Sequence, residues 1–281
     1  MSYPEILYKY RAFNANLLMS LINGSVWFSK PADLNDPFDC QLVLEDIAPA
    51  RAEFESKLEN AFQQLATRLG KYVCFSKTSG QFYTGDSLSD EFKAEVVEFK
   101  GHVEKAMREV GVFSASSQCM NTTMWSHYGD YHKGVCIGYY TERLFPKNSL
   151  AEILRKVTYL KPEKIRCNVY DAYASCCCNA DKDAYMQFVN SLVSVKSNDW
   201  EYEEEWRFIK ELHGGICIGT DAICSISFGM RASVECKSTI RNILADVPMV
   251  YFQMRRSGSG LCLESVNMKP DSEYWNVSPE D

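Results

Sequence analysis

The chain has 281 residues, 46% of them hydrophobic and 13% aromatic, which supplies a packed core and excludes wholesale disorder. Its 30 basic and 37 acidic residues leave a net charge of −7, a surface that repels a phosphate backbone. No apolar run reaches the ~20 residues of a membrane helix, and "MSYPEILYKYR" lacks a signal-peptide layout, so a cytoplasmic protein without a membrane partner is expected.

In chain order, "EILYKYR" reads as a first strand and "NANLLMSLINGS" as a short helix, with Asn14 as N-cap and Gly24 as its stop. "VWFS" is a second strand, followed by the turn-rich "KPADLNDPFDC". Over 50–69, Phe54, Leu58, Phe62, Leu65 and Leu69 recur at helical spacing, and Gly70 closes that helix. "YVCFS" reads as a strand and 88–109 as a second long helix. "GVFSAS" and "GVCIGYY" are strand-like runs around "NTTMWSHYGDYHK", a short helix closed by Gly134. Residues 181–195 read as helix, "ICSISFG" as strand, 233–245 as helix, and "MVYFQMRRSGSGLCLESV" as a hairpin turning at "SGSG". Without a βαβ rhythm, this order argues for one α+β domain over 1–281, with 50–110 as a helical insert. The twelve cysteines are expected as free thiols. Cys176, Cys177 and Cys178, with Cys167 upstream, lack the CxxC spacing of a zinc knuckle.

Chemistry concentrates in three blocks. In "WEYEEEWR" (200–207), a strand would put Trp200, Tyr202, Glu204, Trp206 and Phe208 on one face and Glu201, Glu203, Glu205, Arg207 and Ile209 on the other. A helix would align Tyr202, Trp206 and Ile209 instead; the aromatic content favours the strand. On a strand, Glu203 and Glu205 stand ~7 Å apart, where two charges repel by ~2.4 kcal/mol at an effective dielectric of ~20. Such a ladder is either exposed surface charge or a carboxylate pair backed by a rigid aromatic strand. The second block, "LYKYR" with "NGSVWFSKPADLNDPFDC", offers Asn35, Asp36 and Asp39, which also serve as turn formers. The third, "MWSHYGDYHKGVCIGYY", carries His127, Tyr128, Tyr131 and His132. Neither G-x-G-x-x-G nor G-x-x-x-x-G-K-[ST] occurs.

These blocks, in this order, resemble a widespread bacterial family known only as a domain of unknown function. The opening of the chain is also similar to that of ADP-ribosyltransferase-like domains, whose small mixed or antiparallel sheets are flanked by helices. There a first strand offers Arg or His, a second block Tyr or Ser, and a late strand a catalytic Glu. That resemblance implies Glu205, Glu203 and Arg11 as catalytic residues. It implies NAD, as substrate, held by Tyr10, Arg11, Trp27, Ser29, Asn35, Asp36, His127, Tyr128 and Arg207. Trp27 stands where tyrosine is usual, and no His occupies the first strand. The implied activity is ADP-ribosyl transfer or NAD glycohydrolysis without a metal, toward a protein or nucleic-acid acceptor, in a toxin or phage-defence setting. Two alternatives are a metal-dependent nuclease or hydrolase gathering Asp36, Asp39, His127, Glu203 and Glu205, and a non-enzymatic sensor or partner-binding module.

Overall fold

Strand alternation in "ILYKYR" sends Leu7 to one side and Tyr8 and Tyr10 to the other, and the molecule is built around that division. The computed structural model describes residues 3–69, 82–145, 153–177, 182–260 and 262–277, without the side chains of 61–69, 177 and 182–184. The chain divides into two compact units. One comprises Met1–Ser29, Gly111–Val157 and Asp199–Asp281; the other comprises Lys30–Val110 and Thr158–Asn198. The helices, in chain order, are α1 Ala15–Ile22, α2 Arg51–Leu69, α3 Asp90–Glu109, α4 Thr122–His127, α5 Thr141–Leu144, α6 Val169–Cys177, α7 Lys182–Leu192 and α8 Val234–Ile243.

The first unit holds an eight-stranded mixed sheet, larger than the small sheets expected. Its strands are β1 Ile6–Arg11, β2 Gly111–Ser116, β3 Val135–Tyr140, β4 Leu154–Lys156, β5 Glu205–Lys210, β6 Ile223–Phe228, β7 Val250–Arg256 and β8 Leu263–Asn267. The spatial order is β8-β7-β6-β3-β1-β2-β5-β4, antiparallel except for the parallel β6–β7 pair. Tyr8 lies opposite Gly138 on β3 and Ser116 on β2, and Ser116 lies opposite Glu205 on β5. Residues directly opposite share a face. One face carries Leu7, Phe113, Ile137, Phe208 and Phe228, packed with Leu17 and Leu21 of α1 and Cys236 and Ile240 of α8. The other carries Tyr10, Cys136 and Met254, packed with Met124 and Trp125 of α4. Asn14 caps α1, its Oδ1 accepting from Leu17 N at 3.0 Å, and Gly24 follows at φ +54°, as the sequence signals indicate.

The second unit packs Phe54 and Leu58 of α2 and Phe92 and Val96 of α3 against Val169, Tyr170 and Tyr173 of α6. Two short parallel pairs join Val43–Glu45 to Arg166–Asn168 and Thr158–Leu160 to Val195–Ser197. Three-residue strands of this kind carry too little periodicity to be read in advance. Asp39 and Lys196 form a buried ion pair at 3.4 Å, and the Cys40 thiol lies 3.6 Å from Asp39. Nine cysteines among the described residues are free thiols. The strand expected over 72–76 and the end of the Cys176–Cys178 run lie outside the described residues.

Two expectations are corrected. The segment from 198 is not a continuous strand: Asn198–Glu203 is a 3₁₀ helix, and the strand begins only at Glu205. Side chain–backbone bonds from Asn121 Nδ2 to Tyr202 O (2.8 Å) and Ser116 Oγ to Glu203 O (2.6 Å) hold the helical turn and outweigh β propensity. Likewise α4 ends at His127, not at Gly134. Asp130, Tyr131 and His132 then run through the left-handed region with φ of +49°, +53° and +69°.

Candidate functional site

The three successive glutamates have three different fates. Glu204 adopts φ +44°, a conformation rare for a residue with a Cβ, at the junction of the 3₁₀ helix and β5. It points outward, where Ser117 Oγ (2.7 Å) and Gln118 Nε2 (3.0 Å) donate to its carboxylate and hold its pKa below the usual value. Glu203 and Glu205 on either side are buried, at 3% and 4% exposure. Tyr128 donates its hydroxyl to Glu203 Oε1 at 2.6 Å. Arg207, wholly buried, donates through Nε and Nη2 to the two oxygens of Glu205, at 2.8 and 2.9 Å. This bidentate pairing fixes the Glu205 carboxylate and offsets its charge.

Both carboxylates border a cavity of ≈ 60 Å³ on the Tyr8–Tyr10 face of the sheet. Tyr8, Tyr10, Ser114, Ser116, Met124 and Tyr128 complete much of its lining. Burial raises the pKa of both tyrosines, so their hydroxyls stay protonated at neutral pH. Tyr10 donates to Gln118 O at 2.9 Å. Cys119 lies against Tyr8, and burial raises its thiol pKa as well. Nearby, His127 Nδ1 is 3.0 Å from Tyr202 Oη, and its ring lies edge-on to Tyr128, Trp200 and Tyr202 at 6.1 to 6.2 Å. The 3₁₀ helix supplies this aromatic cluster, and Asn121 joins it to α4 by capping that helix and binding Tyr202 O.

The structure therefore gathers Glu203, Glu205, Arg207, Tyr10, Tyr128 and His127 on one side of the sheet. Arg11 is not with them. It lies three residues along β1 from Tyr8, so alternation turns it to the opposite face, opposite Val135 and beside Tyr139, where burial lowers its pKa. Trp27 is 60% exposed on Ser25–Phe28, paired with Gly215, and Ser29 exchanges main-chain bonds with Val112 at 2.9 and 2.8 Å. Neither lines the cavity. Asn35 and Asp36 belong to the second unit, where Asp36 Oδ1 accepts from Phe38 N at 2.9 Å, in keeping with its reading as a turn former. Asp39 is taken up by Lys196. Among the described residues no three His, Cys, Asp or Glu side chains are grouped to hold a metal ion.

Sequence reasoning did not name Tyr8, Ser114, Ser116, Met124, Trp200 or Tyr202 as site residues, though it placed Trp200 and Tyr202 on one aromatic face. Tyr8 carried a signal, since it must share a face with Tyr10 in any strand. Ser114 and Ser116 carried none until β2 was paired with β5.

No curated protein and no solved structure matches the chain. A family model described as "Protein of unknown function (DUF2971)" matches residues 124–208, a segment that starts in α4, spans the Tyr128, Glu203 and Glu205 contributions to the cavity, and ends in β5. Over that segment the chain is similar to the DUF2971 family, and the similarity covers less than a third of its length.

Proposed function

We propose that the carboxylate cavity cleaves the N-glycosidic bond between nicotinamide and ribose in NAD, in the manner of an NAD glycohydrolase or ADP-ribosyltransferase. The observation that carries this reading is the delivery of Glu203 and Glu205 to one phenol-lined cavity while Glu204 between them is turned out. In the reaction the C–N bond breaks with its electron pair passing to the nicotinamide nitrogen, and the ribosyl carbon gains oxocarbenium character. A water or acceptor hydroxyl then adds at that carbon and gives up its proton. A fixed carboxylate stabilises the developing positive charge.

We assign that role to Glu203, whose Oε1 accepts from Tyr128 at the cavity, and leave Glu205 bound bidentately to Arg207. Glu205 and Arg207 then form the rigid floor beneath it. The catalytic and NAD-holding role that the resemblance implies for Arg11 is withdrawn, since that side chain lies across the sheet. The cavity's ≈ 60 Å³ suits the reacting end of a substrate, with the rest extending from the mouth. Incubation of the purified chain with NAD, followed by chromatographic detection of nicotinamide, tests the reading. Release that disappears in Glu203→Gln is the expected result. Failure of the wild type to release nicotinamide, with water and with protein or nucleic-acid acceptors supplied, would overturn it in favour of a binding module.

A further inference from the structure

α4 has two sides. Met124 and Tyr128, one turn apart, border the carboxylate cavity; Thr122 and Ser126, also one turn apart, border a second and larger cavity of ≈ 330 Å³. Its other walls include His132, Met230, Arg231, Arg256 and Leu263, all of the first unit. The surroundings are cationic in a protein of net charge −7. Arg231 and Arg256 are both exposed, and neither has a hydrogen-bond or ion-pair partner for its guanidinium among the described residues. Their neighbour Arg255, on the other face of β7, is by contrast paired with Glu264 at 2.5 Å.

The wall between them is held in a costly conformation. Three successive residues with side chains, Asp130 to His132, sit at positive φ, each at about 1–2 kcal/mol. The turn is pinned by bonds from Arg231 N to His132 O (2.9 Å) and Gly229 N to Gly134 O (2.9 Å). It lays the His132 ring nearly parallel to Trp125, with Nε2 3.3 Å from Ser126 Oγ. His132 Nδ1 is buried without a hydrogen-bond partner. Burial, then Arg231, lowers the His132 pKa, so the ring is a neutral donor or acceptor.

We propose that this cavity binds a phosphate group, free or as a monoester, through the guanidinium forks of Arg231 and Arg256 and the hydroxyl of Thr122. Two planar forks beside a hydroxyl match the tetrahedral oxygens of phosphate, and the volume leaves room for more than the phosphate itself. The site is independent of the glycosidic reaction and is read without turnover. A chain that binds phosphate but releases no nicotinamide from NAD would sink only the earlier reading.

The test is ³¹P NMR titration of the intact chain in phosphate-free buffer, with inorganic phosphate in one arm and 5′-AMP in the other. Both signals should broaden and shift. Tighter binding of 5′-AMP would identify a monoester ligand, and equal or weaker binding would identify free phosphate. Arg231→Gln combined with Arg256→Gln should weaken both by ~10-fold or more without moving the thermal transition, because both side chains are exposed. Arg255→Gln should bind as the wild type does. Absence of binding in both arms, or equal binding by the double variant, would overturn the proposal, as would an equal loss in Arg255→Gln.

Discussion

Glu203, Glu204 and Glu205 are identical in composition and one residue apart, yet their substitutions are expected to separate cleanly. Glu203→Gln keeps the acceptor for the Tyr128 hydroxyl but removes the charge facing the cavity, and nicotinamide release should fall ~10²–10³-fold. Glu205→Gln leaves Arg207 buried with one strong acceptor fewer, so its first effect should be on stability. Removing one partner of a buried ion pair costs about 3–5 kcal/mol, and retention of the amide oxygen should soften that. Glu204→Gln alters a side chain held by Ser117 and Gln118 at the surface and should leave turnover within a few-fold. Initial rates of nicotinamide release and urea midpoints for the three proteins decide the matter. A Glu204 variant as impaired as Glu203 would dissociate the activity from the cavity. The grouping of Glu203 with Glu205 was legible in the sequence, though for another reason than the one found. Period-two alternation aligned them on a strand, whereas the fold aligns them by a left-handed kink at Glu204.

At the scale of elements, what could be read in advance follows the strength of local signals. The amphipathic helix α2, the capped α1, and the hairpin of β7 and β8 stand where their patterns put them. The stretch 198–203 does not, because its 3₁₀ turn is held by side chains of Ser116 and Asn121 more than seventy-five positions away, and no local window contains them. The face of Arg11 was legible in principle from Tyr8 and Tyr10, but the partner strand that put Glu205 on the tyrosine side was not. The turn after α4 gives a test of its own. A methyl group at Gly229 would collide with His132 O, and one at Gly134 with Arg11 O, and main-chain atoms cannot swing aside as a flexible side chain can. Gly229→Ala should therefore cost ~1–3 kcal/mol, seen as a lower urea midpoint with an unchanged slope. It should also weaken phosphate binding, since His132 and Arg231 flank the displaced turn. A neutral Gly229→Ala would show that the turn tolerates a different path.

For the whole molecule, the two units have separate apolar cores, and the chain's five tryptophans, at 27, 125, 200, 206 and 275, all belong to the first. Indole fluorescence thus reports one core, while far-UV circular dichroism reports both. Phe54 is fully buried in the second core against Phe82, Phe92 and Tyr170. Phe54→Ala should cost ~3–5 kcal/mol there. The expected outcome is an earlier dichroism transition with the fluorescence midpoint unmoved; a common shift of both signals would mean that the two cores unfold as one.

The order in which the chain visits these cores bears on its synthesis. It leaves the first unit after Ser29, returns at Gly111, leaves again after Val157 and returns at Asp199. While the ribosome works through residues 30 to 198, which takes roughly 10–30 s at about 5–20 residues per second, each unit lacks a segment not yet made. β1 emerges first but waits for β2 and β3 on either side; α2 and α3 wait for Val169, Tyr170 and Tyr173. Nascent chains should accordingly depend on holding chaperones throughout that interval. A stop codon anywhere before Asn198 would release a polypeptide with both units unfinished, and no single cut can free either unit whole.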